Sequence, residues 1–207
     1  MIVTTIHRSE KDVIHELVEW NQIVGIFQNS SEWGPRALGN RSILFNPCHP
    51  NAKAIVNEVK RREHYRPFAC TVMLEHVNDY FDMKQLPESP WMSFAIQAKD
   101  KALETIPTLV HADNTCRIQT VTEEQNKNYY NLIKAFYEET GVPILFNTSF
   151  NLGGEAIVET IYDAIDTCNR SMINHLYVPE DQDIYIPYEM LKDKTALADE
   201  EENNSFE

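Results

Sequence analysis

Apolar residues recur at helical spacing in several stretches of this chain. Val13, Ile14, Leu17 and Val18 form one stripe, introduced by Ser9 and Asp12 at capping-box spacing. Ala52, Ile55, Val56 and Val59 form a second after Pro50, and Tyr129, Leu132, Ile133 and Phe136 a third that stops at Gly141. A last helix is predicted over residues 160–172. Between these stripes, short apolar runs predict strands over residues 23–27, 42–45, 68–74, 91–97, 115–121, 143–147 and 175–178. Pro67 disfavours helix at Arg66, so the chain leaves the second helix before the third strand. Helices and strands mix without strict βαβ alternation and without a repeat. One compact α/β domain with a mixed sheet is expected, ending near residue 190.

Composition narrows the function. A 207-residue chain with 43% hydrophobic and 24% charged residues can bury a sizeable core as one domain. It has no apolar run of membrane-spanning length and no signal-peptide core, so a cytoplasmic protein without a membrane partner is expected. Cys48, Cys70, Cys116 and Cys168 are scattered, as a reducing compartment permits, and the seven histidines are equally dispersed. No protein-built transition-metal site is expected. The net charge of -14 argues against a nucleic-acid partner. Ten acidic residues against two lysines follow residue 179, and residues 191–207 read as an acidic, disordered tail.

Against that acidity, residues 31–70 carry seven basic and three acidic residues. Such a concentration suits a small bound anion; the alternative is a solvated basic face. Arg36 and Arg41 lie on a Gly/Pro-punctuated turn just before a short apolar run. Extending the helical spacing past Val59 puts Glu63 near the middle of the apolar stripe and Lys60 on its flank. A buried carboxylate needs a cation, so Glu63 should pin one arginine, with Lys60 and Arg66 facing a ligand and Arg61 and Arg62 left as surface charges.

On the strand at 115–121, Thr115, Arg117 and Gln119 share one face. That is either a polar cavity or an ordinary solvent-facing sheet. Asn147, Ser149 and Asn151 project to one side at the end of a buried strand, suited to phosphate oxygens or a planar amide, or else to turn chemistry. Ser149 lacks the flanking glycines of a nucleophile elbow, and no G-x-x-x-x-G-K-[ST] loop is present.

Four motifs occur in order: Glu32-Trp-Gly-Pro-Arg-Ala-Leu-Gly-Asn-Arg-Ser42, Lys60 with Arg66-Pro-Phe68, Asp113 to Val121, and Asn147-Thr-Ser-Phe-Asn151 with Gly154-Glu155. Together they closely resemble the C-terminal domain of the O-carbamoyltransferases of nodulation-factor and antibiotic biosynthesis. The resemblance implies a YrdC-like fold, an open twisted mixed sheet with flanking helices around a positively charged cavity. It implies carbamoyl phosphate and ATP with Mg²⁺ as reactants, joined into carbamoyl adenylate with release of pyrophosphate. By motif position, Lys60, Arg66 and Arg117 are the expected catalytic residues. Arg36, Ser149 and Asn151 are expected to bind carbamoyl phosphate and nucleotide, and Arg41 and Asn147 join them from the same turn and strand end. No residue is assigned to hold a metal.

The sequence departs from the family at Asn29-Ser30, where Gly-Arg is usual, and at Cys70, Asn114 and Ala156, where Pro, Gly and Pro are common. Asn29 and Asn114 are expected to keep left-handed turns, because Asn tolerates that conformation. Loss of a cation at Ser30 should weaken one anion contact. The family's acceptor-binding N-terminal domain is not represented, so a separately encoded transferase subunit is the expected partner, docking near Trp33. A simple core tryptophan is the alternative for Trp33. A non-catalytic binding module for carbamoyl phosphate or nucleotide is the alternative for the chain as a whole. The intact set of Lys60, Arg66, Arg117, Ser149 and Asn151 favours the enzyme.

Overall fold

The computed structural model describes residues 5–179, and the expected acidic tail lies outside them. In chain order the elements are β1 (Thr5–His7), α1 (Glu10–Val18), β2 (Val24–Phe27), β3 (Arg41–Phe45), α2 (Ala52–Val59), β4 (Ala69–Met73), α3 (Val77–Tyr80), β5 (Phe81–Asp82), β6 (Ala95–Ala98), α4 (Asp100–Thr105), β7 (Thr115–Val121), α5 (Lys127–Thr140), β8 (Ile144–Ser149), α6 (Ile161–Asn169) and β9 (His175–Tyr177). The strands form one mixed sheet in the order β1-β9-β2-β3-β8-β4-β7-β6-β5. The β1–β9, β9–β2 and β4–β7 pairs are parallel, and the others are antiparallel. β2, β3 and β4 are buried along their whole length, which is why they read as continuous apolar runs rather than alternating ones. Helix α5 packs on β4, β8 and α1, while α6 packs on β2 and β9.

Local signals act as the sequence predicts. Ser9 accepts the Asp12 N–H at the start of α1, and Thr160 with Asp163 completes a reciprocal capping box at the start of α6. Asn29 and Asn114 both adopt left-handed backbone, with φ of 49° and 59°. Two boundaries differ from expectation. Helix α6 ends at Asn169, where the Ser171 hydroxyl turns back to the Thr167 carbonyl at 2.7 Å. Strand β6 begins at Ala95 because a turn with Met92 at φ 51° precedes it.

Two glycines allow close approaches that shape the site. Gly39 has φ +107°, and a Cβ there would lie 2.2 Å from the Tyr129 ring, so the turn before β3 sits flush on α5. Gly25, in the middle of β2, lies under Phe150, and a Cβ would meet that ring at 2.6 Å. Phe150 is thereby held at the end of β8, between Ser149 and Asn151.

Candidate active site

Three loops meet at the ends of β3, β8 and α2. The first is the turn before β3. One Glu32 carboxylate oxygen accepts the backbone N–H groups of Leu38 and Asn40 at 2.7 Å and of Arg41 at 3.2 Å. From the sheet face, Gln119 Nε2 donates to the Leu38 carbonyl at 2.9 Å, and Gln28 Nε2 to the Gly39 carbonyl at 2.8 Å. The loop's spine is fixed, and Trp33, Gly34, Pro35 and Arg36 stand outside it, exposed.

Helix α2 ends because Arg61 takes a left-handed backbone, φ 52°, and the chain reverses. The Gly153 N–H donates to the Lys60 carbonyl at 2.7 Å and docks the loop after β8 on the helix end. Lys60 is 2% exposed. Its ammonium lies 2.5 Å from the Ser149 carbonyl, 3.3 Å from Ser149 Oγ, and 2.9 Å from both the Asn151 carbonyl and Asn151 Oδ1. Three N–H donors are thus all engaged by the strand-end turn. Ser149 Oγ donates to Asn151 Oδ1 at 2.6 Å, and Asn151 Nδ2 to the Glu155 carbonyl at 2.7 Å. Lys60 therefore underpins this turn, and Ser149 and Asn151 are the groups presented outward. Burial, aided by the nearby Arg62 charge, draws the Lys60 pKa down to about 7.

The arginines sort differently from the sequence expectation. Glu63 is exposed and pairs with Arg66 itself, at 2.6 Å from Arg66 Nε. Helical extrapolation fails there because the helix has already ended at Val59. Arg61 stays on the surface, its guanidinium on the Arg170 carbonyl. Arg62, expected on the surface, is half-buried: it stacks over Phe68 at 4.3 Å, and its Nε donates to Asn57 Oδ1 at 2.6 Å. Its Nη2 is buried and has no hydrogen-bond partner among the described residues. Burial first, then Arg66 and Arg117, lower its pKa to about 10. Arg117, half-buried on β7 beside Ala69, has a buried Nε with no hydrogen-bond partner among the described residues. Burial first, then Arg36, lowers its pKa. Arg66, Arg62, Arg117 and Arg36 therefore form an arc in which each guanidinium feels the next.

Arg41 and Asn147 do not share that arc. Arg41 is 3% exposed, and its guanidinium donates to the carbonyls of Gln28 (2.6 Å), Asn40 (3.1 Å), Asn29 (3.0 Å) and Glu159 (3.3 Å) while capping the Phe27 ring at 3.6 Å. It ties loops together rather than facing a cleft. Asn147 lies beneath the first loop: its Nδ2 donates to the Ala37 carbonyl (3.3 Å), Thr71 Oγ1 (3.0 Å) and Gln119 Oε1 (3.3 Å).

A cleft of about 670 Å³ opens over Lys60, Arg62, Arg66, Ser149, Asn151 and Gly153. Another, of about 390 Å³, lies across the Ser149–Asn151 ridge and is bordered by Glu32, Pro35, Glu155 and Glu159. The first is cationic and the second acidic. Glu32 and Arg62 are functional candidates that sequence patterning does not single out. An acid heading a glycine-rich loop could have pointed to Glu32; Arg62 depends on a stacking partner that only the fold supplies.

The fold is an open mixed α/β sheet with flanking helices, and a cationic cleft opens at its strand ends. The family described as carbamoyltransferase C-terminus matches residues 15–182, and the chain belongs to it. Nodulation protein NolNO of Sinorhizobium fredii is 42% identical over 172 residues, covering 81% of this chain and 25% of that protein. The 3'-hydroxymethylcephem-O-carbamoyltransferase of Amycolatopsis lactamdurans is 31% identical over 169 residues, covering 82% of this chain and 32% of the relative. The chain thus spans about a quarter to a third of these relatives' length. Among solved structures, full-length HypF in its phosphate- and nucleotide-bound form superposes with TM-score 0.58 at 20% identity, covering 84% of this chain and 25% of HypF. P. abyssi Sua5, complexed with L-threonine, superposes with TM-score 0.57 at 12% identity, covering 86% of this chain and 50% of Sua5. These likenesses establish the open sheet with flanking helices. Among the described residues, no helix is long and apolar enough to cross a membrane.

Proposed function

We propose that this domain forms carbamoyl adenylate from carbamoyl phosphate and ATP, and supplies it to a separate O-carbamoyltransferase subunit. The observation that carries the reading is the arginine arc beside the Lys60-supported turn, in a chain of this family. Buried guanidinium N–H groups without partners, Arg62 Nη2 and Arg117 Nε, are donors for phosphate oxygens. Water hydrolyses carbamoyl phosphate to carbamate and inorganic phosphate, and a carbamate oxygen then attacks the α-phosphorus of ATP. The bond to the β-phosphate oxygen breaks, and pyrophosphate leaves. The protein's task is positioning and charge neutralisation. Arg62, Arg66 and Arg117 neutralise phosphate charge, Arg36 closes from the exposed turn, and Ser149 and Asn151 orient the carbamoyl amide.

Among the described residues lining the cationic cleft, Glu63 is the single carboxylate, and it is engaged by Arg66. The donor set suits phosphate rather than a directly held Mg²⁺. In this reading Mg²⁺ travels on the nucleotide and supplies counter-charge to its phosphates, with no protein ligand. Trp33, fully exposed on the turn, marks the docking surface for the transferase subunit.

The test is pyrophosphate release by the full chain with ATP, with and without carbamoyl phosphate. Release that requires carbamoyl phosphate and disappears in Arg117→Ala, with the circular dichroism spectrum unchanged, supports the proposal. No release even with the candidate subunit added would favour a non-catalytic binding module.

A further inference from the structure

The histidines are dispersed in sequence, but folding brings two of them together far from the cleft. His7 on β1 and His175 on β9 lie 168 residues apart in the chain, and the parallel β1–β9 pair sets their rings side by side, 5.2 Å between centroids. His7 Nε2 is 2.9 Å from His175 Nδ1. Glu16, on the inward face of α1, closes the group: its carboxylate oxygens lie 3.6 Å from His7 Nε2 and 3.4 Å from His175 Nε2. One ligand atom from each of the three residues fits within 4.8 Å of the others. Tetrahedral bonds of about 2.0–2.1 Å place neighbouring ligand atoms roughly 3.3 Å apart, so the group needs only small rotations to close on one ion.

We propose that His7, Glu16 and His175 form a binding site for a divalent transition cation of the zinc type, clipping β1, α1 and β9 together at the edge of the sheet. Two imidazoles and one carboxylate are a donor set that zinc accepts, with a fourth position left to water.

Charge supplies an independent argument. Glu16 is 7% exposed, and its buried Oε2 has no hydrogen-bond partner among the described residues. A buried carboxylate in that position calls for a cation. The titratable groups around His7 are Glu16, Asp12, His175 and His15.

The site stands at the opposite end of the sheet order from β5 and two strands from β3, so its role is to anchor the edge strand rather than to join the chemistry. β1 is only three residues long and gains little from its own pairing. A metal clip explains how so short an edge strand is held.

The experiment uses the full chain after chelation and dialysis, titrated with ZnCl₂ by calorimetry and with CoCl₂ by visible absorption. The expected result is one Zn²⁺ per chain, a Co²⁺ spectrum of low-coordinate intensity, and a melting temperature raised by Zn²⁺ but not by Mg²⁺. His175→Ala and the nearly isosteric Glu16→Gln should each weaken Zn²⁺ binding by at least about tenfold. Absence of saturable Zn²⁺ uptake by the wild-type chain would overturn the proposal and leave the group as a proton-sharing network. Equal uptake in folded Glu16→Gln and His175→Ala would also overturn it, because the metal would then sit on other histidines. Should either variant fail to fold, the wild-type Co²⁺ spectrum and the melting shift decide.

Discussion

Lys60 Nζ and Asn151 Oδ1 stand 2.9 Å apart, although 91 residues separate them in the chain. That contact makes the geometry of the strand-end turn depend on a charge at the end of a distant helix. Replacing Lys60 with methionine fills the same space but leaves the Ser149 and Asn151 oxygens without their donor. The variant should lose about 1.5–3 kcal/mol of stability, the range for a hydrogen-bonded charged group. A urea melt measures this, and an unchanged midpoint would show that the turn holds itself.

The same residue predicts a pH dependence. Unfolded, Lys60 keeps its proton up to about its ordinary 10.5, whereas in the fold it releases it above about 7. Between those values the unfolded chain binds more protons, so this group's contribution to stability rises with pH across that window. Proton loss in the fold also removes the charge that grips the turn, so pyrophosphate release should fall as the pH rises through about 7. Opposite slopes are therefore expected for stability and activity. Comparing both profiles with those of Lys60→Met isolates the effect, since the stability slope from this group should vanish in the variant.

Arg62 and Arg41 offer a direct contrast between binding and architecture. Arg62→Gln should weaken carbamoyl phosphate binding by about 10- to 100-fold, equivalent to roughly 1.5–3 kcal/mol, with little change in melting temperature. Arg41→Gln should do the reverse in large part, costing at least about 2 kcal/mol of stability by stranding the carbonyls it joins. Calorimetric titration and thermal melts of both variants give the four numbers required.

Trp33 is fully exposed, so removing it leaves the core untouched. Trp33→Ala should melt like the wild type and release pyrophosphate at the wild-type rate. With the transferase subunit added, however, carbamoyl transfer to the acceptor should drop at least about tenfold, as for an aromatic interface anchor. Undiminished transfer would place the docking surface elsewhere.

The elements that the sequence revealed are those whose residues face a single environment. The stripes at Val13–Ile14–Leu17 and Tyr129–Leu132–Ile133–Phe136 are wholly buried and were readable from spacing alone. The expectation of left-handed Asn29 and Asn114 followed from side-chain chemistry and holds. Strand β1 escaped because three residues carry no periodicity, and its partner lies at the other end of the chain. Glu63 was misplaced because nothing local announces that Arg61 turns left-handed. At the site, motif order located Lys60, Ser149 and Asn151 together, and the structure joins them by hydrogen bonds. It could not reveal that Lys60 supports the turn from beneath, or that Arg62 rather than Arg61 turns toward Phe68, since both depend on packing between distant segments.

Phe150 rests on the bare backbone of Gly25, with Ser149 on one side and Asn151 on the other. A single methyl group on β2 would lift that ring and tilt the two residues that flank it, without altering any polar group of the cleft. The ridge between the two clefts is in this sense levelled from below, like a beam resting on one thin shim. A family member that carries every expected polar residue can still be inactive for want of a glycine that never meets the substrate.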